Sequence, residues 1–140
     1  VNVHREDATH ENILKTKEFG INLCSITQNA VSSISGRSSG RDVDKIKVLK
    51  DFGVEFYNAK KINVLMVKGA AMNAECRLHK ILELGDHTMF VGEVVEISAD
   101  PDIEPLAYMD GKYWKLGEQI MKPPQEVLDK ISNLIEKYTK

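Results

Sequence analysis

Gly85-Asp86-His87-Thr88-Met89-Phe90-Val91-Gly92-Glu93-Val94-Val95-Glu96-Ile97 is the stretch whose reading decides the fold. A Gly-Asp turn delivers a histidine into a long run rich in β-branched and aromatic residues, which reads as a strand over His87–Ala99. An ionisable ring therefore stands at a strand mouth, where small ligands are commonly held. Upstream, Ala71–Leu84 alternates, with Met72, Ala74, Cys76 and Leu78 on one side and the charged Glu75 and Arg77 on the other. Ile62–Val67 reads as a further strand. Phe19–Cys24 places Phe19, Ile21 and Leu23 on one face and turns Asn22 to the other. Val1–His4 already alternates like the end of a strand, which predicts residues ahead of Val1.

Downstream, Pro105–Gly117 reads as a hairpin that closes the sheet, because Asp110-Gly111 favours the positive φ values of a type I′ turn. Helices fill the remainder. Asp7 or Thr9 can cap a helix over His10–Thr16. A short helix over Thr27–Ile34 is stopped by Gly36, and Gly36–Arg41 is a polar loop of the kind that often holds ligands. Asp42 is expected to cap a helix over Val43–Phe52, with Val43, Ile46 and Leu49 on one face and Gly53 as its stop. After Pro123-Pro124, Val127, Leu128, Ile131, Leu134, Ile135 and Tyr138 recur at helical spacing, giving a C-terminal helix over residues 124–138. That apolar stripe suits packing on its own barrel or contact with a second copy.

With 140 residues, the chain is long enough to bury roughly two-thirds of its unfolded surface in one domain. No repeat or flexible linker divides it, so the expectation is one mainly β domain over residues 1–140, a small barrel with flanking helices. Nineteen basic residues against 21 acidic give a net charge of -2, and no Lys/Arg stripe offers a nucleic-acid footprint. No apolar run approaches the ~20 residues needed to span a bilayer. Two cysteines far apart in sequence and no recognisable leader point to free thiols and a cytoplasmic protein. Cys76-x-x-His79 has a metal-compatible spacing, but no companion pair completes a site and no metal is expected.

No nucleophile motif, Walker loop or Rossmann fingerprint is present, so covalent chemistry on a protein side chain has no support. What remains is a set of donors and aromatics suited to a flat, anionic ligand: Thr9, Ser39, Arg41, Lys45, His87, Tyr113 and Trp114. A helix start near Asp42, flanked by Arg41 and Lys45, could hold a phosphate. Spacing alone favours a solvated loop with ordinary caps. His87 could pair with a ligand carbonyl near neutral pH or simply bridge its own turn. Tyr113 and Trp114 could be core or interface fillers.

Taken together, Gly85-Asp86-His87 with Val91-Gly92-Glu93-Val94, Pro105-Leu106-Ala107-Tyr108, Tyr113-Trp114-Lys115-Leu116-Gly117 and Ser39-Gly40-Arg41-Asp42-Val43-Asp44-Lys45 resemble the flavin reductase-like, FMN-binding split-barrel family, especially its flavoredoxin-type branch. The resemblance runs almost the whole chain up to Gly117. It implies an antiparallel Greek-key barrel, a homodimer, and FMN in a groove near the subunit interface. Residue by residue, Thr9 resembles the threonine that contacts the flavin phosphate and Lys45 a second phosphate or flavin contact. His87 resembles the histidine placed near flavin or nicotinamide, and Tyr113, or else Trp114, the hairpin aromatic beside the isoalloxazine. Family members carry early strands ahead of the position of Val1, and the resemblance implies that this N-terminal part is missing here.

The expected function is hydride transfer from NAD(P)H to flavin, with electrons passed onward to a further acceptor. His87 would assist nicotinamide or flavin carbonyl binding as the one catalytic candidate, Arg41 and Lys45 would neutralise the phosphate, Thr9 would donate a hydrogen bond, and Ser39 would be a further cofactor-binding residue. The alternatives are a flavoredoxin-type electron carrier that works with a redox protein partner, and a cofactor-free dimerisation module.

Overall fold

The computed structural model describes residues 1–118 and 121–138, so positions 119, 120, 139 and 140 of the expected 1–140 domain lie outside the described residues. Strands β1 (Asn2–His4), β2 (Glu18–Leu23), β5 (Met72–Leu84) and β6 (His87–Ala99) form one antiparallel sheet in the order β1-β6-β5-β2. Strands β3 (Phe56–Asn58) and β4 (Leu65–Val67) make a separate ribbon, as do β7 (Ala107–Met109) and β8 (Lys112–Trp114). Helices α1 (Ala8–Thr16), α2 (Asn29–Gly36), α3 (Lys45–Asp51) and α4 (Gln125–Lys137) flank them. The molecule is mainly β with flanking helices, as expected.

The long hairpin β5–β6 is the spine. Gly85, at φ 58°, supplies the left-handed position its turn requires. One face of the sheet buries Phe19, Ala74, Cys76 and Phe90 against Ile13 of α1. The backbone at Gly92 lies so close to this cluster that a Cβ there would sit 2.5 Å from Cζ of Phe19 and 2.9 Å from Cβ of Cys76.

The opposite face is polar in sequence and nevertheless covered. Segment 59–64 lies over it, and the side chains beneath satisfy that segment's backbone. Glu75, only 3% exposed, accepts from the amides of Lys60 at 2.9 Å and Lys61 at 2.7 Å. Glu18 accepts from the Asn63 amide at 2.9 Å, and Arg77 donates to the Lys61 carbonyl at 2.8 Å. Glu96, directly across from Glu75 in the ladder, is neutralised by Lys60 at 2.7 Å. The β3–β4 ribbon is tied down in the same way: Asn22 Oδ1 accepts from the Val67 amide at 2.8 Å and from Asn73 at 2.7 Å. A third layer buries Val31, Leu49 and Val67 between α2, α3 and β4.

Several sequence expectations shift. The strand expected over Ile62–Val67 is reduced to Leu65–Val67, because the amides of the preceding residues are drawn to carboxylates rather than to a neighbouring strand. Helix α1 begins at Ala8 behind Asp7, so Thr9 lies in its first turn rather than capping it. Helix α3 begins two residues later than expected, capped by Asp44, whose carboxylate accepts from the Lys47 amide at 3.0 Å. Asp42 is not the cap, because its own amide and that of Val43 are held by the Ser39 carbonyl. The β7–β8 hairpin has the expected turn, with φ 52° at Asp110 and 73° at Gly111. It does not close the main sheet: among the described residues it forms its own ribbon and meets the chain just after β2 through an isolated bridge between Ser25 and Pro105, in which the Ile26 amide donates to the Glu104 carbonyl at 3.0 Å and the Leu106 amide to the Cys24 carbonyl at 2.8 Å.

Candidate functional site

The β1–β6 register places His4 directly opposite His87. Their rings meet edge to face, with centroids 5.1 Å apart at 84°. Asp86, in the turn, lies between them: its Oδ1 is 2.7 Å from His87 Nδ1 and its Oδ2 is 3.8 Å from His4 Nε2. The hydrogen bond from His87 and, when that ring is protonated, its charge hold the Asp86 carboxyl below its ordinary value. The Glu6 amide donates to His4 Nδ1 at 3.3 Å, and the Arg5 amide donates to the Asp86 carbonyl at 3.0 Å. On the inward side of β6, buried Thr88 pairs with His10 Nε2 at 2.9 Å, and His10 rests on the Phe90 ring.

The polar loop after α2 docks on the start of α1. A Cβ at Gly40 would stand 3.3 Å from that of Ala8, one residue before Thr9. Arg41 donates from Nε to the Glu6 carbonyl at 3.1 Å and from its terminal nitrogen to Glu11 at 2.9 Å. Ser39 Oγ accepts from the Arg41 amide at 3.1 Å. Thr9, Ser39 and Arg41 therefore gather at the β1–α1 junction, whose other side carries His4 and His87. The amides expected to be free near Asp42 are already bonded to the Ser39 carbonyl, so no ready-made phosphate cradle forms there.

Lys45, Tyr113 and Trp114 belong to a second group. Lys45 Nζ donates to the Ser35 carbonyl in the last turn of α2. The Tyr113 hydroxyl pairs with Ser33 Oγ at 2.9 Å, and its hydrogen bonds with Ser32 and Ser33 hold it below the ordinary tyrosine value. A cavity of about 400 Å³ opens here, lined by Ser32, Ser33, Gly36, Arg37, Tyr108 and Tyr113. Trp114 is turned back on its own hairpin, its indole donating to the Met109 carbonyl at 3.1 Å. The sheet does not join the two groups, since the hairpin follows the far end of β6. Residues 36–41 do, running from the cavity at Arg37 to the α1 start at Arg41.

Sequence reasoning passed over His4, Asp86, Arg37 and Tyr108. His4 could have been found only from the cross-strand register. Asp86 was visible beside His87, though not the carboxylate's contact with the ring. Cys76 is buried in the core while His79 is exposed in an irregular stretch of β5, so the Cys-x-x-His spacing does not converge. Burial pushes the thiols of Cys24 and Cys76 up, away from the thiolate form.

Residues 1–117 match the family described as Flavin reductase like domain. The chain is similar to an Archaeoglobus fulgidus ferric-chelate reductase (NAD(P)H), 28% identical over 116 residues that cover 83% of this chain and 66% of that protein. Among solved structures it is similar to the Streptomyces globisporus C-1027 NADH:FAD oxidoreductase, with a TM-score of 0.75 and 20% identity over 84% of this chain and 68% of that one. It is also similar to an FMN-binding protein from Thermus thermophilus with bound p-hydroxybenzaldehyde, with a TM-score of 0.74 and 25% identity over 88% and 71%. The chain spans about half the length of curated relatives it matches. Among the described residues no helix is long and apolar enough to cross a membrane. With most of its length matched and this split-barrel architecture shared, the chain belongs to the flavin reductase like family.

Proposed function

We propose that this chain is part of an NAD(P)H-dependent, FMN-binding oxidoreductase that hands electrons on to a further acceptor, free or protein-borne. The observation that carries the reading is the convergence of the β1–α1 junction, the 37–44 loop and the start of β6, which gathers Thr9, Ser39, Arg41 and His87 from three distant parts of the sequence. The donor set fits a phosphorylated flavin. Arg41 uses two of a guanidinium's five N–H groups on Glu6 and Glu11, and Lys45 uses one of its three on Ser35, so both retain donors for a phosphate. Thr9 and Ser39 add hydroxyls at the first position, and Ser32, Ser33, Tyr108, Tyr113 and Arg37 add hydroxyls, rings and charge at the second.

A bound flavin would supply the redox chemistry, accepting hydride from NAD(P)H. The chain's part is to bind and orient: Arg41, Lys45, Thr9 and Ser39 at phosphate, Tyr113 beside the ring, and His87 at the nicotinamide. The exposed apolar stripe of α4 supports a homodimer. Free Cys24 and Cys76 suit a reducing, cytoplasmic setting.

The test is spectral. Protein mixed with FMN, FAD or riboflavin at equal concentration should gain thermal stability that rises with the logarithm of affinity, most for FMN, and the bound flavin should bleach on anaerobic addition of NADH or NADPH. Reduction by a redox protein alone would identify an electron carrier. Failure of every flavin to bind or stabilise the chain would overturn the reading.

A further inference from the structure

We infer that Asp86 and His4 are positioning residues that fix His87 as a hydrogen-bond acceptor, so that what it selects is an N–H donor, the carboxamide NH2 of a nicotinamide nucleotide. This rests on the reading of His87 as the nicotinamide contact and adds the direction of its hydrogen bond.

The direction follows from proton inventory. An ionised carboxylate has no proton to give, so at 2.7 Å from Asp86 Oδ1 the His87 Nδ1 must be the donor. In a neutral imidazole the other nitrogen then holds the lone pair, because the partner of one nitrogen sets the tautomer. Among the described residues His87 Nε2 has no hydrogen-bond partner, and the side chain is 46% exposed, so the lone pair is available to a ligand.

His4 reinforces the arrangement from the neighbouring strand. Its Nδ1 accepts from the Glu6 amide, which leaves the proton on Nε2. That N–H lies toward Asp86 Oδ2 at 3.8 Å, too long for a hydrogen bond but favourable to the carboxylate's charge. The edge contact between the two rings limits how His87 can turn. The other charges nearby do not compete: Arg5 is paired with Glu83 at 3.2 Å, and only its backbone touches Asp86.

Two measurements decide the matter. In nitrogen-detected NMR of the full chain at alkaline pH, with the ring assigned through His87→Ala, Nδ1 should be protonated and Nε2 bare, and Asp86→Asn should move the population toward Nε2–H. A parent protein already in the Nε2–H form overturns the inference. In the flavin-loaded protein, NADH is compared with reduced 3-acetylpyridine adenine dinucleotide, in which a methyl group replaces the NH2. The ratio of their kcat/KM values should fall about tenfold in Asp86→Asn, the scale of one hydrogen bond, and recover in Asp86→Glu, which keeps the charge. A merely structural role would change both nucleotides alike, so a ratio that does not move overturns the inference even where the tautomer shifts. Failure of the underlying reading looks different: flavin binds, yet neither nucleotide reduces it in the parent.

Discussion

Gly92 and Glu75 show how much single positions in the β5–β6 spine decide. At Gly92 the strand passes against Phe19 and Cys76 with no room for a methyl group, so Gly92→Ala must push an aromatic ring or the strand itself aside. We expect a loss of about 1–3 kcal/mol in denaturant titrations, whereas Gly117→Ala, with open space around it, should be near neutral. Glu75 works through charge. Burial alone would push its carboxyl up, but the amides of Lys60, Lys61 and Ile62 and the charge of Lys60 hold it below the ordinary value. The unfolded chain therefore takes up this proton more readily than the native one. The stabilising contribution is fully present above the unfolded carboxyl's value of roughly 4.3 and is lost as pH falls through the lower folded value. Glu75→Gln should accordingly lower Tm at neutral pH and flatten its fall on acidification. Parallel Tm–pH curves for parent and variant would contradict the assignment.

At the scale of elements, β6 was legible in full because a Gly-Asp turn and a histidine open a run rich in β-branched and aromatic residues, and observed His87–Ala99 coincides with the reading. Helix α3 was legible only in outline. Asp42 and Asp44 are equally good caps by composition, and the choice is made by the Ser39 carbonyl, which binds the amides of residues 42 and 43 before a helix can begin. The covered polar face of β2 and β5 was not legible, since Glu18, Glu75 and Arg77 have the alternation of a solvated face and their partners are backbone groups of a distant loop. The site divides in the same way: its residue types could be read locally, while the pairing of His4 with His87 and of Lys45 with Ser35 depends on tertiary register. Lys45 illustrates the consequence. Its ammonium sits at the C-terminal carbonyls of α2, where a cation interacts favourably with the helix dipole, so Lys45→Ala should cost about 0.3–1 kcal/mol of stability. If its remaining donors also reach phosphate, the same variant will narrow the affinity gap between FMN and riboflavin. An unchanged gap restricts Lys45 to holding α2.

Over the whole molecule, apolar side chains are left exposed on β6 and along α4. Val94 and Ile97 on β6 are 54% and 58% exposed, and along α4 Leu128, Ile131 and Leu134 are 37%, 43% and 46% exposed. Where such side chains form a contiguous patch, the patch ordinarily marks an interaction site rather than solvent-facing structure. The periodicity of the C-terminal helix suits packing on its own barrel or contact with a second copy, and these side chains are partly exposed in a single copy. Ile131→Asp combined with Leu134→Asp replaces the middle of the stripe with charge without touching the core. If α4 joins two copies, the variant should sediment as a smaller species than the parent at equal concentration. At high dilution its Tm should stay within about 2 °C of the parent's, because exposed substitutions away from the core typically change stability by less than about 0.5 kcal/mol. A large fall in Tm at high dilution would place α4 against its own chain, and identical sedimentation with an unchanged Tm would contradict a contact between copies through α4.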